Sequence, residues 1–175
     1  MKTIVTISGS LRKGSYNTAL INEFEKQISK SAKIIRLDIS DFPMYNEDIE
    51  TKMPKNIVEA KNAIESGSAV VIATPEYNRS IPGVLKNAID WISRPYGKNS
   101  FAKKPVYIMG ASVGSISTAL AHYHLTQILL HLDANIHGQP EIFVGNAGEK
   151  IDAKGNIKDK HTKEIISKLV ELVLA

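Results

Sequence analysis

Residues Lys2 to Ser8 are apolar and β-branched almost throughout (Ile4, Val5, Thr6, Ile7), so a strand built from them has no side that can face water. Such a strand belongs in the middle of a parallel sheet covered on both faces, and parallel neighbours each need a long crossover. The rest of the chain supplies them. Tyr16 to Ser29 repeats apolar residues at helical spacing (Ala19, Leu20, Phe24, Ile28), and Lys33 to Leu37 alternates as a second strand. Pro54 to Ser66 reads as a helix, with Ile57, Val58 and Ile64 in phase, Pro54 suited to its first turn and Gly67 to its stop. Ala69 to Thr74 is a third strand, and Leu85, Ala88, Ile89 and Ile92 fall at i, i+3, i+4 and i+7, which predicts a helix from near Pro82. Pro105 to Gly110 is a fourth strand and Ile116 to Leu132 its helix. A fifth strand is expected near Ile136 or at Glu141 to Val144. Asn146 to Lys160 is polar, with two glycines, and reads as mobile; His161 to Leu174 closes the chain as a helix with Ile165, Leu169 and Leu172 on one face.

Strand and helix thus alternate five times within 175 residues, which predicts one domain over 1–175: a three-layer α/β fold around a doubly wound sheet of five parallel strands. Right-handed crossovers with one reversal of direction suit the order 2-1-3-4-5. The turns after strands one, three and four then open at the same edge, beside the reversal point where such sheets bind ligands. Cysteine is absent, so thiol nucleophiles, thiolate metal sites and redox disulfides are excluded, and any redox chemistry needs a cofactor. The net charge of +4 comes with lysines scattered along the chain and not interleaved with aromatics, which argues against nucleic acid as a partner. No apolar run approaches the roughly 20 residues that span a bilayer. Met1 leads straight into the first strand, and a cytoplasmic location without membrane attachment is expected.

The three turns are the unusual stretches. Gly9 to Thr18 (G-S-L-R-K-G-S-Y-N-T) joins a strand to a helix N-terminus, where unpaired amides and the helix dipole favour an anion. Ser10, Arg12, Ser15, Asn17 and Thr18 add donors in the same small volume. Gly9 and Gly14 have the spacing of a triphosphate-binding loop, but Ser15 and Tyr16 stand where Lys and Ser or Thr should follow. The dinucleotide pattern G-x-G-x-x-G is also missing. A terminal monophosphate suits the turn better; a capped helix start with a solvated Arg12 is the plainer alternative. Pro75-Glu76-Tyr77-Asn78 sets a rigid proline, an aromatic and two polar groups where a flat ligand would lie, although alone it is an ordinary proline-bounded turn. Ala111 to Ser115 is small, and Gly114 permits close backbone approach to a ring. A monophosphate at one turn and a planar ring between the other two describes flavin mononucleotide, FMN.

G-S-L-R-K-G-S-Y-N at Gly9 to Asn17, T-P-E-Y-N at Thr74 to Asn78 and P-G-V-L-K-N-A-I-D-W at Pro82 to Trp91 resemble the NADPH-dependent FMN reductase family of flavodoxin-like proteins, in particular its bacterial soluble quinone, chromate and azo-dye reductases. The likeness extends to Tyr123-His124-Leu125. It implies that Ser10, Arg12, Ser15, Tyr16, Asn17 and Thr18 hold the FMN phosphate and ribityl chain, Pro75, Glu76, Tyr77 and Asn78 the isoalloxazine edge, and Ser112 and Gly114 its far side. Arg79 stands where close relatives often carry an aromatic or apolar residue. The family runs a ping-pong cycle, in which NADPH or NADH reduces FMN and departs before a quinone, azo dye, nitro compound or metal oxyanion is reduced. Orientation and electrostatics then suffice, with no catalytic acid or base and no metal. Arg12 and Arg79 are candidates for the nicotinamide cofactor's phosphates, because Arg forks match phosphate oxygens.

Members of the family are commonly dimers or tetramers, so a homodimer or homotetramer is expected. Two stretches bear on that. The apolar loop Phe42-Pro43-Met44-Tyr45-Asn46 is either a flap on its own domain or a contact with a second subunit, and Trp91 is either core or part of a subunit-packing helix face. His122, His124 and His131 share a helix without a carboxylate at metal-site spacing, and surface or subunit-contact roles are expected for the histidines. Two other classes remain open: a flavodoxin-type electron carrier, which the basic charge disfavours, and a non-catalytic flavin-binding or ligand-sensing module.

Overall fold

Burial on both faces is what β1 (Lys2–Ser8) delivers: Ile4 points into one apolar layer and Val5 and Ile7 into the other. A computed structural model describes residues 1–175. After β1 come α1 (Tyr16–Ile28), β2 (Ala32–Leu37), a 3-10 turn (Glu47–Lys52), α2 (Lys55–Ser66), β3 (Ala69–Ala73), α3 (Gly83–Ile92), β4 (Pro105–Ala111), α4 (Ala119–His131), β5 (Asn135–Val144), the single turn α5 (Ala147–Lys150) and α6 (Lys160–Leu174). The five strands form one parallel sheet in the order β2-β1-β3-β4-β5, as expected. Two cores of 22 buried residues each lie on its two faces. One is closed by α1 and α6, the other by α2, α3 and α4. This equal division is why β3 (Ala-Val-Val-Ile-Ala) contains no residue that water reaches. No helix is long and apolar enough to cross a membrane.

Several expected boundaries shift for local reasons. β5 is one strand covering both segments proposed for it, with a register shift opposite Tyr107 and Met109. The helix expected from Ile116 begins at Ala119, because Ser117 is left-handed (φ 59) and its N–H turns back to the Gly114 carbonyl (3.1 Å). Residues 146–160, expected to be mobile, are packed: Ala147, Ile151 and Ile157 are buried against α1 and α6, and the Asp152 carboxylate gathers the amides of Lys154 and Asn156 (both 2.9 Å). Polarity along that stretch obscured three apolar anchors. The inner face of α6 is centred on Ile166, Leu169, Val170 and Val173, with Ile165 and Leu172 on its flanks.

The loop at Phe42 to Asn46 packs on its own domain. Trp91 is wholly buried and its Nε1–H donates to the Pro43 carbonyl (2.7 Å); Asn87 Nδ2 donates to the same oxygen (3.0 Å), while Asn87 Oδ1 accepts from the Tyr45 amide (2.7 Å). Trp91 is therefore core and clamp together.

Candidate functional site

The C-terminal ends of β1, β3 and β4 lie side by side, so their following turns meet at one edge of the sheet. They enclose a cleft of about 360 Å³ lined by Ser10, Arg12, Ser15, Tyr16 and Asn17 from the first turn, Pro75, Glu76 and Tyr77 from the second, and Ala111, Ser112 and Val113 from the third. Nine of the residues expected at the site are thus brought together; Thr18, Asn78, Arg79 and Gly114 stand outside this lining. A larger groove, about 750 Å³, lies between α3 and α4 beside Lys86, Asp90, Arg94 and His131. It lacks a helix N-terminus or a strand-end turn. The smaller cleft has both.

The first turn is an open cradle. Between Ser10 and Gly14 the chain makes no ladder or helix bonds, and only the Arg12 amide reaches an internal acceptor, Ser10 Oγ at 3.4 Å. Gly14 is left-handed (φ 68), which aims this stretch back at the helix start. Ser15 is the N-cap of α1: its Oγ accepts from the amides of Asn17 (3.2 Å) and Thr18 (3.5 Å) and retains its own O–H to donate. The Arg12 guanidinium lies 5.1 Å above the Tyr16 ring, exposed and at the rim. Cap and cradle therefore coexist.

Two expected donors have their side chains committed elsewhere. Asn17 is buried and its amide group pairs with both backbone groups of Ala111, donating to the carbonyl (3.0 Å) and accepting from the N–H (2.9 Å). It ties the first turn of α1 to the end of β4. Thr18 Oγ1 meets Ser8 Oγ (2.8 Å), on the strand side of the helix.

At the second turn Pro75 is buried and Tyr77 half-exposed, and Tyr77 and Ser80 exchange two backbone hydrogen bonds (2.9 and 3.0 Å) across Asn78 and Arg79. Both central residues are left-handed (φ 51 and 65), a conformation that costs side-chain-bearing residues of order 1 kcal/mol each. The Glu76 carboxylate turns inward, where Oε2 accepts from the amides of Leu120 (3.0 Å) and Ala121 (3.1 Å) and Oε1 lies 3.5 Å from Arg79 Nη1. At the third turn Ser112 donates its N–H to Val144 (3.0 Å) and its Oγ accepts from the Gly114 amide (3.3 Å). Val113 and Tyr77 project into solvent at the cleft mouth. These two groups give the opening an apolar rim.

Sequence reasoning missed Ala111 and Val113 in the lining and the inward role of Glu76. It also misplaced one histidine. His122 is only 8 % exposed, packs edge-on against Phe143 (4.6 Å) and has an Nε2 without a hydrogen-bond partner. Burial lowers its pKa from 6.5 to about 4, against a weaker opposing pull from the Met109 backbone. His124 Nδ1 meets Ser80 Oγ (3.0 Å).

Residues 2–149 match the family model for NADPH-dependent FMN reductase. The chain is 41 % identical to an NAD(P)H-dependent FMN reductase of Pseudomonas aeruginosa over 169 residues, 96 % of this chain and 91 % of that one. It is 37 % identical to a 2-hydroxy-1,4-benzoquinone reductase of Burkholderia sp over 168 residues, 96 % and 92 % of the two chains. Among solved structures, the flavoenzyme NAD(P)H:(acceptor) oxidoreductase FerB of Paracoccus denitrificans superposes with a TM-score of 0.91 at 38 % identity, covering 99 % of this chain and 96 % of that one.

Proposed function

The chain belongs to the NADPH-dependent FMN reductase family and is an FMN-dependent NAD(P)H oxidoreductase, and we propose that it delivers the electrons to a quinone at the mouth of the cleft between Pro75 and Ser112. The observation that carries this reading is the convergence of an amide-rich cradle, a proline-bounded turn and a small-residue turn on one opening. FMN, when bound, supplies hydride acceptance and onward electron transfer. The residues present fit it. The amides of Ser10, Leu11, Lys13 and Gly14, the Ser10 and Ser15 hydroxyls and the positive end of α1 would hold its phosphate, with Arg12 and Tyr16 at the edge. Pro75 to Asn78 would read the ring edge through backbone groups, and Ser112 and Gly114 would face its other side. Asn17 and Thr18 would serve by fixing the first turn of α1 and not through side-chain contact.

Arg12, exposed at the rim, and Arg79, exposed on the second turn, would take the nicotinamide cofactor's phosphates. A quinone is favoured because it is flat enough to stack on a ring between Tyr77 and Val113, and a relative 37 % identical carries that activity in its name. Azo, nitro and metal-oxyanion acceptors would use the same opening. The protein would work as a homodimer or homotetramer in the cytoplasm. Anaerobic mixing of the holoprotein with NADPH, followed by a benzoquinone, tests this: the flavin absorbance band bleaches and then returns. A flavin that bleaches and does not recover with any quinone would refute the acceptor class.

A further inference from the structure

We propose that Glu76 is a positioning residue for the flavin, locking the Pro75 to Asn78 turn to the N-terminus of α4 and setting the charge beside the ring. This rests on the reading above that the turn holds the ring edge. Helix α4 starts at two residues well suited to capping, Ser117 and Thr118, yet neither caps it. Thr118 occupies the N-cap position with no side-chain bond to the helix, and both hydroxyls are buried without partners. The cap comes instead from Glu76, which lies 44 residues earlier than the Leu120 amide it accepts from. A local cap would satisfy the same amides. Only a remote one also fixes the distance between the two elements.

A second link runs the same way. One turn further along α4, His124 Nδ1 meets Ser80 Oγ (3.0 Å), so both ends of the Glu76 to Ser80 segment are fastened to a single helix. Between the fastenings sit the left-handed Asn78 and Arg79, the central residues of a turn that Tyr77 and Ser80 close with two backbone hydrogen bonds. The Glu76 side chain is only 8 % exposed, and its negative charge opposes the positive end of α4 at the place where the ring edge would lie. Its other oxygen holds Arg79 by a long contact of 3.5 Å, while that guanidinium remains 67 % exposed. Arg79 is thereby tethered to Glu76 without being consumed by the pair.

Two variants separate geometry from charge. Glu76→Ala removes both; Glu76→Gln keeps an acceptor for the two amides and removes the charge. Titrating apoprotein with FMN, Glu76→Ala is expected to bind about tenfold more weakly, the loss typical of hydrogen bonds to a charged group, while Glu76→Gln stays within about threefold of the parent. The bound flavin of Glu76→Gln should have a higher midpoint potential, because α4's positive end is no longer offset. Wild-type affinity and an unchanged visible spectrum in Glu76→Ala would reduce Glu76 to a helix cap. Should Glu76→Ala fail to fold, the potential of Glu76→Gln decides, and an unchanged value overturns the proposal. Arg12→Ala serves as the reference: weaker FMN binding there with none in Glu76→Ala sinks the role of Glu76 alone, whereas no change in either also sinks the site from which it follows.

Discussion

Arg79 holds a left-handed backbone (φ 65) as the second central residue of the two-residue turn closed by Tyr77 and Ser80, and its exposed guanidinium is proposed above to take a nicotinamide-cofactor phosphate. Its contact with Glu76 is long and solvent-screened and contributes little to stability. Arg79→Ala should therefore leave the melting temperature nearly unchanged and raise the KM for NADPH by about tenfold, the scale of one charge-assisted hydrogen bond, in steady-state assays; unchanged KM values for both NADPH and NADH would remove it from the cofactor site. His122 makes a different prediction. Its pKa of about 4 in the fold lies below the ordinary 6.5, so the unfolded chain binds the extra proton between those values. Its contribution is complete above about pH 6.5 and is lost as the pH falls toward 4, by about 3 kcal/mol at most at 1.36 kcal/mol per pKa unit. Denaturant unfolding between pH 7 and 4.5 should show that slope, and His122→Leu should flatten it. Asp38, Asp152 and Asp159, held low chiefly by bonds from Ser40, Asn156 and Thr162, add a separate loss below the ordinary carboxylate value of 3.8. The aspartates take their partners from two to four residues along the chain, whereas the behaviour of His122 follows from the apolar layer that the fold packs around it.

Between elements, the joint that matters most is α1 to β4. Asn17 satisfies both backbone groups of Ala111 just where the third turn leaves the sheet, so one side chain fixes two walls of the cleft relative to each other. Asn17→Ala would leave the Ala111 N–H and carbonyl buried and unpaired, at about 1–3 kcal/mol. Urea unfolding should report that loss, and FMN affinity should fall with it although the Asn17 side chain is turned to β4 and not to the phosphate; undiminished affinity would show that the two walls hold without the tie. An asparagine in an anion-binding turn looks like a ligand in sequence, and its true partner, 94 residues away, is visible only once the sheet is ordered. The start of α4 was hidden for a similar reason. Ile116 and Ser117 do not exclude helix by propensity; the left-handed Ser117 and the remote cap from Glu76 set the boundary at Ala119.

At the scale of the whole molecule, α4 is apolar on more sides than one face of the sheet can cover: Leu120, Tyr123 and Leu130 are exposed while Ala121, Leu125 and Leu129 are buried. The proposed homo-oligomer would cover that row. Size-exclusion chromatography with light scattering should then give a dimer or tetramer, and Tyr123→Glu with Leu130→Glu should give monomer with native circular dichroism; a parent protein that is monomeric at assay concentrations would refute the assembly. Sequence alone determined the layering, the strand order and the edge at which three turns meet. Those depend on which residues tolerate water and on the handedness of crossovers, and both are properties of short stretches. It also located Ser10 to Asn17, Pro75 to Tyr77 and Ser112 around one opening, because strand ends in a parallel sheet are placed by topology. Tertiary structure alone decided what each side chain does there. Asn17 turns to β4, Thr18 to Ser8 and Glu76 to α4, because a polar atom inside a fold takes the nearest partner in space, and that partner can come from any part of the chain.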